Sequence, residues 1–473
     1  MGGLKRHKSL AWAIIALVLT LACLPFSRDE EAAQAVPGSD KLTPTATTVT
    51  EPTSTFPTPT IAAVEAPGRT LPSDLIYLGA FRLPDTEDDL GWTWSGHALA
   101  YHPAGDPSGP ADGYPGSLFG TGNDQKQFVS EISIPAPVRS ESKGLETLHT
   151  AQTLQPFADI RGDLYDGLAE MGDLEGALPK VGLAVLPPQG AQEGYKLHFC
   201  WGYHLQQVPQ NEPTLHGQPE GSHGGCELDL AHPRPVGAWT IGDYINFVTN
   251  DYLFPVDPSW AAAHAPGMLL ATGRFRDGGQ GSQGPSLLIY GPWNESYPPA
   301  PGTQLEALAL LAYSNILEEG GPVMEGYSHA DEWSGGAWLT AGERAAVVFV
   351  GTKALGETWY GFADGTVWPE EGPYPPVPDP PNDERGWWAD EFAAQVLFYD
   401  VEDLAAVARG EKLPSDPQPY AHLDLRPVLY GVTSPQQWHQ VGAAAFDRGR
   451  GLLYLLEPLV DEEKSIVHVW RVE

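Results

Sequence analysis

Five repeats of a four-stranded β-unit, closed into a ring, make up the fold that this sequence predicts. Three observations carry it. A short motif recurs: "WSGHALAYHP" at 94–103, "WSGGAWLTAG" at 333–342 and the looser "QVGAAAFDRG" at 440–449. Each is followed by further apolar runs in the same order. Finally, one alternating segment, "IYLGAFRLP" at 76–84, stands before the first unit while the last unit lacks a closing strand. Alternation over short segments bounded by Gly and Pro reads as strands. Of 473 residues, 53 are Gly and 46 are Pro, which suits many strands joined by turns. Radial repetition with ring closure leaves few open edges, so the prediction is an all-β, five-bladed β-propeller.

The strands are assigned in order. Inner strands fall at 95–103, 181–187, 247–254, 335–341 and 440–447, rich in small residues, as a crowded axis requires. Second strands fall at 116–124, 196–204, 268–275, 345–353 and 452–458. Third strands follow at 128–135, 224–230, 285–291, 393–400 and 465–472. Fourth strands are 147–157, 237–243, 305–314 and 420–428, and 76–84 supplies the fourth strand of the last blade. A β-sandwich and a sixth blade within 355–392 are the competing layouts.

Ahead of the propeller (71–473) lie two other segments. Lys5, Arg6 and Lys8 precede an apolar run, Ala11 to Ala22, that ends in "LAC" at Cys23. The run is short for a membrane span. Residues 1–23 resemble a bacterial lipoprotein signal, which implies lipidation of Cys23. Thr20 stands where that pattern has leucine. An uncleaved anchor or cleavage after Ala35 are the alternatives, and each exports the rest of the chain to the cell envelope or outer surface. Residues 24–70 form a stalk in which 13 of the 19 residues of 42–60 are Thr or Pro, a composition that cannot bury a core.

Charge narrows the partners. The net charge is −35, and residues 1–70 hold six basic and six acidic side chains, so the propeller carries the whole excess. Such a surface repels nucleic acid. In an exported chain Cys200 and Cys226 are expected to pair as a disulfide. The rival is a metal site with His204, His216 and His223, whose spacings match no zinc pattern. No metal and no cofactor is identified.

The long loops 158–180, 205–223, 315–334 and 354–392 fall on one face of the predicted ring, and long loops on a rigid scaffold carry function. On that face the second strands end in Asp124, His204, Arg274, Lys353 and Glu457, a ring with a cationic and an acidic side. Trp387 and Trp388 in "GWWADEF" are candidate sugar-stacking residues. His329, Asp331 and Glu332 in "SHADEW" are candidate acid–base groups that could equally cap a turn.

In architecture alone, residues 76–473 resemble the furanosidase-type glycoside hydrolases and some propeller lectins. The resemblance implies an acid at the start of the first inner strand, where this chain has "WTWSGH". Fold alone does not give function. Three readings result: a surface propeller binding a carbohydrate or other polar ligand, a glycoside hydrolase, and a protein-interaction scaffold.

Overall fold

A computed structural model describes residues 68–473 apart from 87–90, 107–108, 110–111, 125, 165–179, 203–220, 245–248, 250, 275–281, 294–295, 315–319 and 381. The expected signal at 1–23 with Cys23, most of the expected stalk, and His204 lie outside the described residues.

Five antiparallel sheets form the blades of a propeller. Blade 1 is Leu99–His102, Ser117–Thr121, Val129–Ser133 and Thr153–Ala158. Blade 2 is Lys180–Leu186, Lys196–Gly202, His223–Cys226 and Val236–Ile241. Blade 3 is Tyr252–Pro255, Leu270–Gly273, Leu287–Tyr290 and Ala307–Leu311. Blade 4 is Glu332–Ala341, Arg344–Gly361, Gly386–Tyr399 and Ala421–Asp424. Blade 5 is Ala444–Asp447, Leu452–Asp461, Lys464–Val472 and, from the N-terminal side, Leu75–Arg82.

The closing strand pairs antiparallel with the last strand of the chain, from Leu75 opposite Val472 to Arg82 opposite Ile466. Arg82 also donates from Nε and Nη2 to both oxygens of Asp461, at 2.9 and 3.0 Å. Two short strands add parallel edges, Gly68–Arg69 on blade 4 and Gln304–Leu305 on blade 2. Among the described residues the α-helices are Pro258–His264 and Val401–Ala408, each opened by an aspartate side chain, Asp257 or Asp400, accepting a backbone N–H. None of these helices is long and apolar enough to cross a membrane.

The inner strands pack on one another in ring order, blade 1 to 5 and back to 1. Their convergence explains the small residues. At Gly335 a side chain would meet the Ala444 nitrogen at 2.7 Å and the Ala443 backbone at 3.0 Å. Between blades the core is aromatic and aliphatic. Phe349 of blade 4, for example, packs against Tyr252 of blade 3 at 5.7 Å between ring centres.

The expected disulfide does not form. Cys200 and Cys226 are both free thiols and both buried. The reason is register: Cys226 pairs with Leu197 and Cys200 pairs with His223, three positions away. An odd offset places side chains on opposite faces of a sheet. Cys200 therefore faces the core shared with blade 3, and Cys226 the core on the blade 1 side. Burial raises both thiol pKa values, so neither is a nucleophile in the folded chain. In a Cys23→Ser chain, a thiol reagent is expected to label neither cysteine under native conditions. Both should react after unfolding without reductant, whereas a disulfide would leave both unlabelled.

Candidate functional site

Blade 4 differs from the others in length. Its second and third strands run to 18 and 14 residues and rise past the ring as a hairpin arm. A bulge between Leu355 and Thr358 sets the arm's course. Gly356 sits there at φ +81, a region that favours glycine, and a side chain at that point would collide with Asp390. Asp390 accepts the Glu357 N–H at 2.8 Å, satisfying the backbone that the bulge leaves unpaired.

Beyond the bulge the register decides which aromatic residues meet. Tyr360 lies opposite Trp387, and Trp359 opposite Trp388. Residues directly opposite share a face, and successive residues alternate, so the arm has two aromatic faces. One is structural: Trp388 is buried and stacks on Trp438, the residue that leads into blade 5, at 3.9 Å and 20°.

The other face is half-exposed and forms a ladder. Tyr374 stacks on Trp368 at 4.8 Å and 9°. The Arg385 guanidinium lies 4.5 Å over Trp368 and 5.8 Å over Tyr360. Tyr360 meets Trp387 at 5.5 Å, Trp387 stacks on His329 at 4.7 Å, and His329 meets Tyr327 edge-on at 5.3 Å. The rungs are π faces joined by one cation, a surface for flat or hydroxyl-bearing rings. Tyr374, at its outer end, is 53% exposed.

At the foot of the arm sits a buried ion pair. Lys353 Nζ donates to Asp331 Oδ1 at 2.8 Å, and Asp331 also accepts from Ala354 N and Ser328 N, each at 2.9 Å. Desolvation pushes the Asp331 carboxyl up from 3.8 to about 6, with Lys353 opposing. The neighbouring Glu332 is buried and lies 2.6 Å from His439 Nδ1. Blade 3 repeats the arrangement: Arg274, 1% exposed, faces Asp251 at 3.7 Å. In both blades an acid just before the inner strand meets a base of the second strand, Lys353 within it and Arg274 just past its end.

The expected ring of charges is therefore divided among the blades. Arg274 and Lys353 are each neutralised by an acid of their own blade. Glu457 is buried; it accepts Tyr430 N at 2.9 Å and Gly431 N at 2.6 Å and pairs with His468 Nε2 at 2.8 Å. His468 Nδ1 in turn meets the Tyr77 hydroxyl at 2.9 Å. Asp124 is half-buried in the turn after the second strand of blade 1. Between the inner strands, at the axis, lies a cavity of about 40 Å³ lined by such residues as Leu99, Leu183, Leu253, Ala337 and Ala444. A cavity that small holds water, not a sugar ring. The arm brings together Trp387 and His329, with Lys353 and Asp331 at its base and Trp388 on its opposite face. Sequence reasoning did not single out Tyr327, Tyr360, Trp368, Tyr374 or Arg385.

No family model matches the chain, and no curated protein matches it. Among solved structures it is similar to the PQQ domain of pyranose dehydrogenase from Coprinopsis cinerea, in its holo form. That similarity has 9% identity and a TM-score of 0.33, and covers 82% of this chain and 98% of that one. It is also similar to the Swd1 β-propeller domain of Myceliophteria thermophila, with 10% identity and a TM-score of 0.21, covering 84% of this chain and 100% of that one.

Proposed function

We propose that this chain is an envelope-anchored β-propeller that binds a carbohydrate chain along the ladder of blade 4, without catalysis. The observation that carries the reading is the unbroken run Tyr374–Trp368–Arg385–Tyr360–Trp387–His329. Aromatic faces bury the C–H faces of sugar rings, while the neighbouring exposed acids Glu370, Glu371 and Glu384 offer acceptors to hydroxyls. Nucleic acid bases would stack equally well, but a net charge of −35 repels their backbone.

Hydrolysis needs two carboxylates facing one open pocket. Asp331 is buried and its oxygens already accept from Lys353, Ser328 and Ala354, and Glu332 is buried against His439. These acids serve the scaffold better than they would serve a substrate. Binding is expected to show by calorimetry against a panel of soluble oligosaccharides. Trp387→Ala and Arg385→Ala should each weaken it about tenfold. Parental affinity in both variants would remove the ladder from the reading.

The anchored part of the proposal rests on the export signal and on geometry. Gly68, the first described residue, pairs with Arg344 at the base of blade 4. The strand Arg344–Gly361 then climbs its 18 residues, about 55 Å, to the ladder. A tether reaching the base would turn the ladder away from the membrane. Cys23→Ser is expected to move the protein from the membrane fraction to the soluble one or to block its processing. Unchanged fractionation and migration would refute lipidation.

A further inference from the structure

On the face opposite the ladder, blade 2 and a loop of blade 3 line an open cleft of about 410 Å³, a volume in the range of small-molecule sites. We propose that it binds a small zwitterion, such as an apolar α-amino acid, with Arg234 holding the carboxylate and Glu193 the ammonium. The base-side location follows from the strands: Lys196 opens the second strand of blade 2, Cys226 closes its third and Val236 opens its fourth.

The first argument is the state of Arg234. It is exposed and lies in "HPRPVG", between Pro233 and Pro235. Its φ is +47, the left-handed region that a non-glycine residue adopts only at a cost. Both prolines stiffen it, and the Glu227 N–H closes the turn by donating to the Pro233 carbonyl at 2.7 Å. A strained, stiffened arginine on a cavity rim is pre-organised for a planar anion, and a carboxylate fits its fork.

The second argument is charge. Arg234 and Glu193 both line the cavity, and neither has a hydrogen-bond or ion-pair partner among the described residues. The other two charges, Lys196 and Glu227, satisfy each other, with Nζ donating to both carboxylate oxygens at 2.7 Å. That leaves one unpaired cation and one unpaired anion over walls that include Val236, Tyr297 and Pro298. The surrounding field selects further. A bare anion is repelled by a molecule of net charge −35 and leaves Glu193 unpaired, and a bare cation leaves Arg234 unpaired. A zwitterion is neutral overall and satisfies both free groups. This site is independent of the ladder.

The test uses the full chain and three probes on one carbon skeleton: L-leucine, 4-methylpentanoate (leucine without its ammonium) and 3-methylbutylamine (leucine without its carboxylate). Calorimetry should show saturable binding of leucine, with both single-charge probes at least about tenfold weaker. Arg234→Gly suits the left-handed turn and keeps the fold while removing the cation, and Glu193→Gln removes the anion. Each is expected to weaken leucine binding about tenfold with an unchanged melting temperature. The proposal is overturned if the parent chain fails to bind leucine at about 10 mM, the weakest affinity reasonable for a ligand of that size. It is equally overturned if 4-methylpentanoate binds as well as leucine, which would mark an anion site, or if both variants bind like the parent.

Discussion

A chain lacking residues 75–82 is expected not to hold its fold. Phe81 is wholly buried in the core between blades 5 and 1, and Leu75 in that between blades 4 and 5. Truncating one such phenylalanine costs about 3–5 kcal/mol. The deletion also removes the paired carboxylate contacts of Arg82 with Asp461 and the Tyr77 hydroxyl from His468, and exposes the whole edge of Lys464–Val472. Together these losses rival the 5–15 kcal/mol that stabilises an ordinary domain. Circular dichroism and calorimetry should show no cooperative transition. Deleting 36–65, which precedes every described strand, should leave the melting temperature unchanged. Equal melting temperatures for the two deletions would refute closure by the N-terminal strand.

The Asp331–Lys353 pair gives the second large effect, and it depends on pH. The folded-state pKa of Asp331, about 6, lies above its ordinary 3.8. The folded chain therefore holds a proton that the unfolded chain has lost, and the resulting stability is complete below about pH 4. It is lost as pH rises through 6, about 3 kcal/mol in all. Asp331→Asn should flatten that decline. Lys353→Met removes the opposing cation and raises the Asp331 pKa further. The decline then continues above pH 6, and the variant should be about 3–5 kcal/mol less stable than the parent at pH 8 and closer to it at pH 5. Urea melts across this range check both; parallel pH profiles for parent and Lys353→Met would contradict the assignment.

How much of this was legible in the sequence depends on whether it followed from local pattern or from register. The closing strand was legible: "IYLGAFRLP" alternates and had no other partner, and it forms Leu75–Arg82. The inner strands were legible through their small residues. The segment 355–392, weighed as a sixth blade, instead continues blade 4 as far as Gly361 and from Gly386. The second strand was ended at Lys353, but a bulge at Gly356 lets it continue, since a bulge and a turn use glycine for the same reason.

Register was not legible. The two cysteines sit on adjacent strands, yet a three-position offset separates their faces. Tyr360 and Trp387 lie 27 residues apart in sequence and meet only because the arm pairs them. The aromatic dipeptides at 359–360 and 387–388, on either side of a proline-rich loop, were the available signal. The charged strand ends read as one shared ring because Arg274 and Lys353 were taken without the acids that precede their inner strands. Asp251 and Asp331, just ahead of their inner strands, indicate local neutralisation of Arg274 and Lys353.

The central claim is that the ladder, not the axis, receives the ligand. The measurement that tests it most directly is a crystal structure of the chain with the tightest-binding oligosaccharide of the panel. The expected result is sugar density stacked along Trp368, Tyr360 and Trp387, with Arg385 donating to ring hydroxyls. Density at the axis or on another blade with the ladder bare, or a panel in which no oligosaccharide binds, would contradict it.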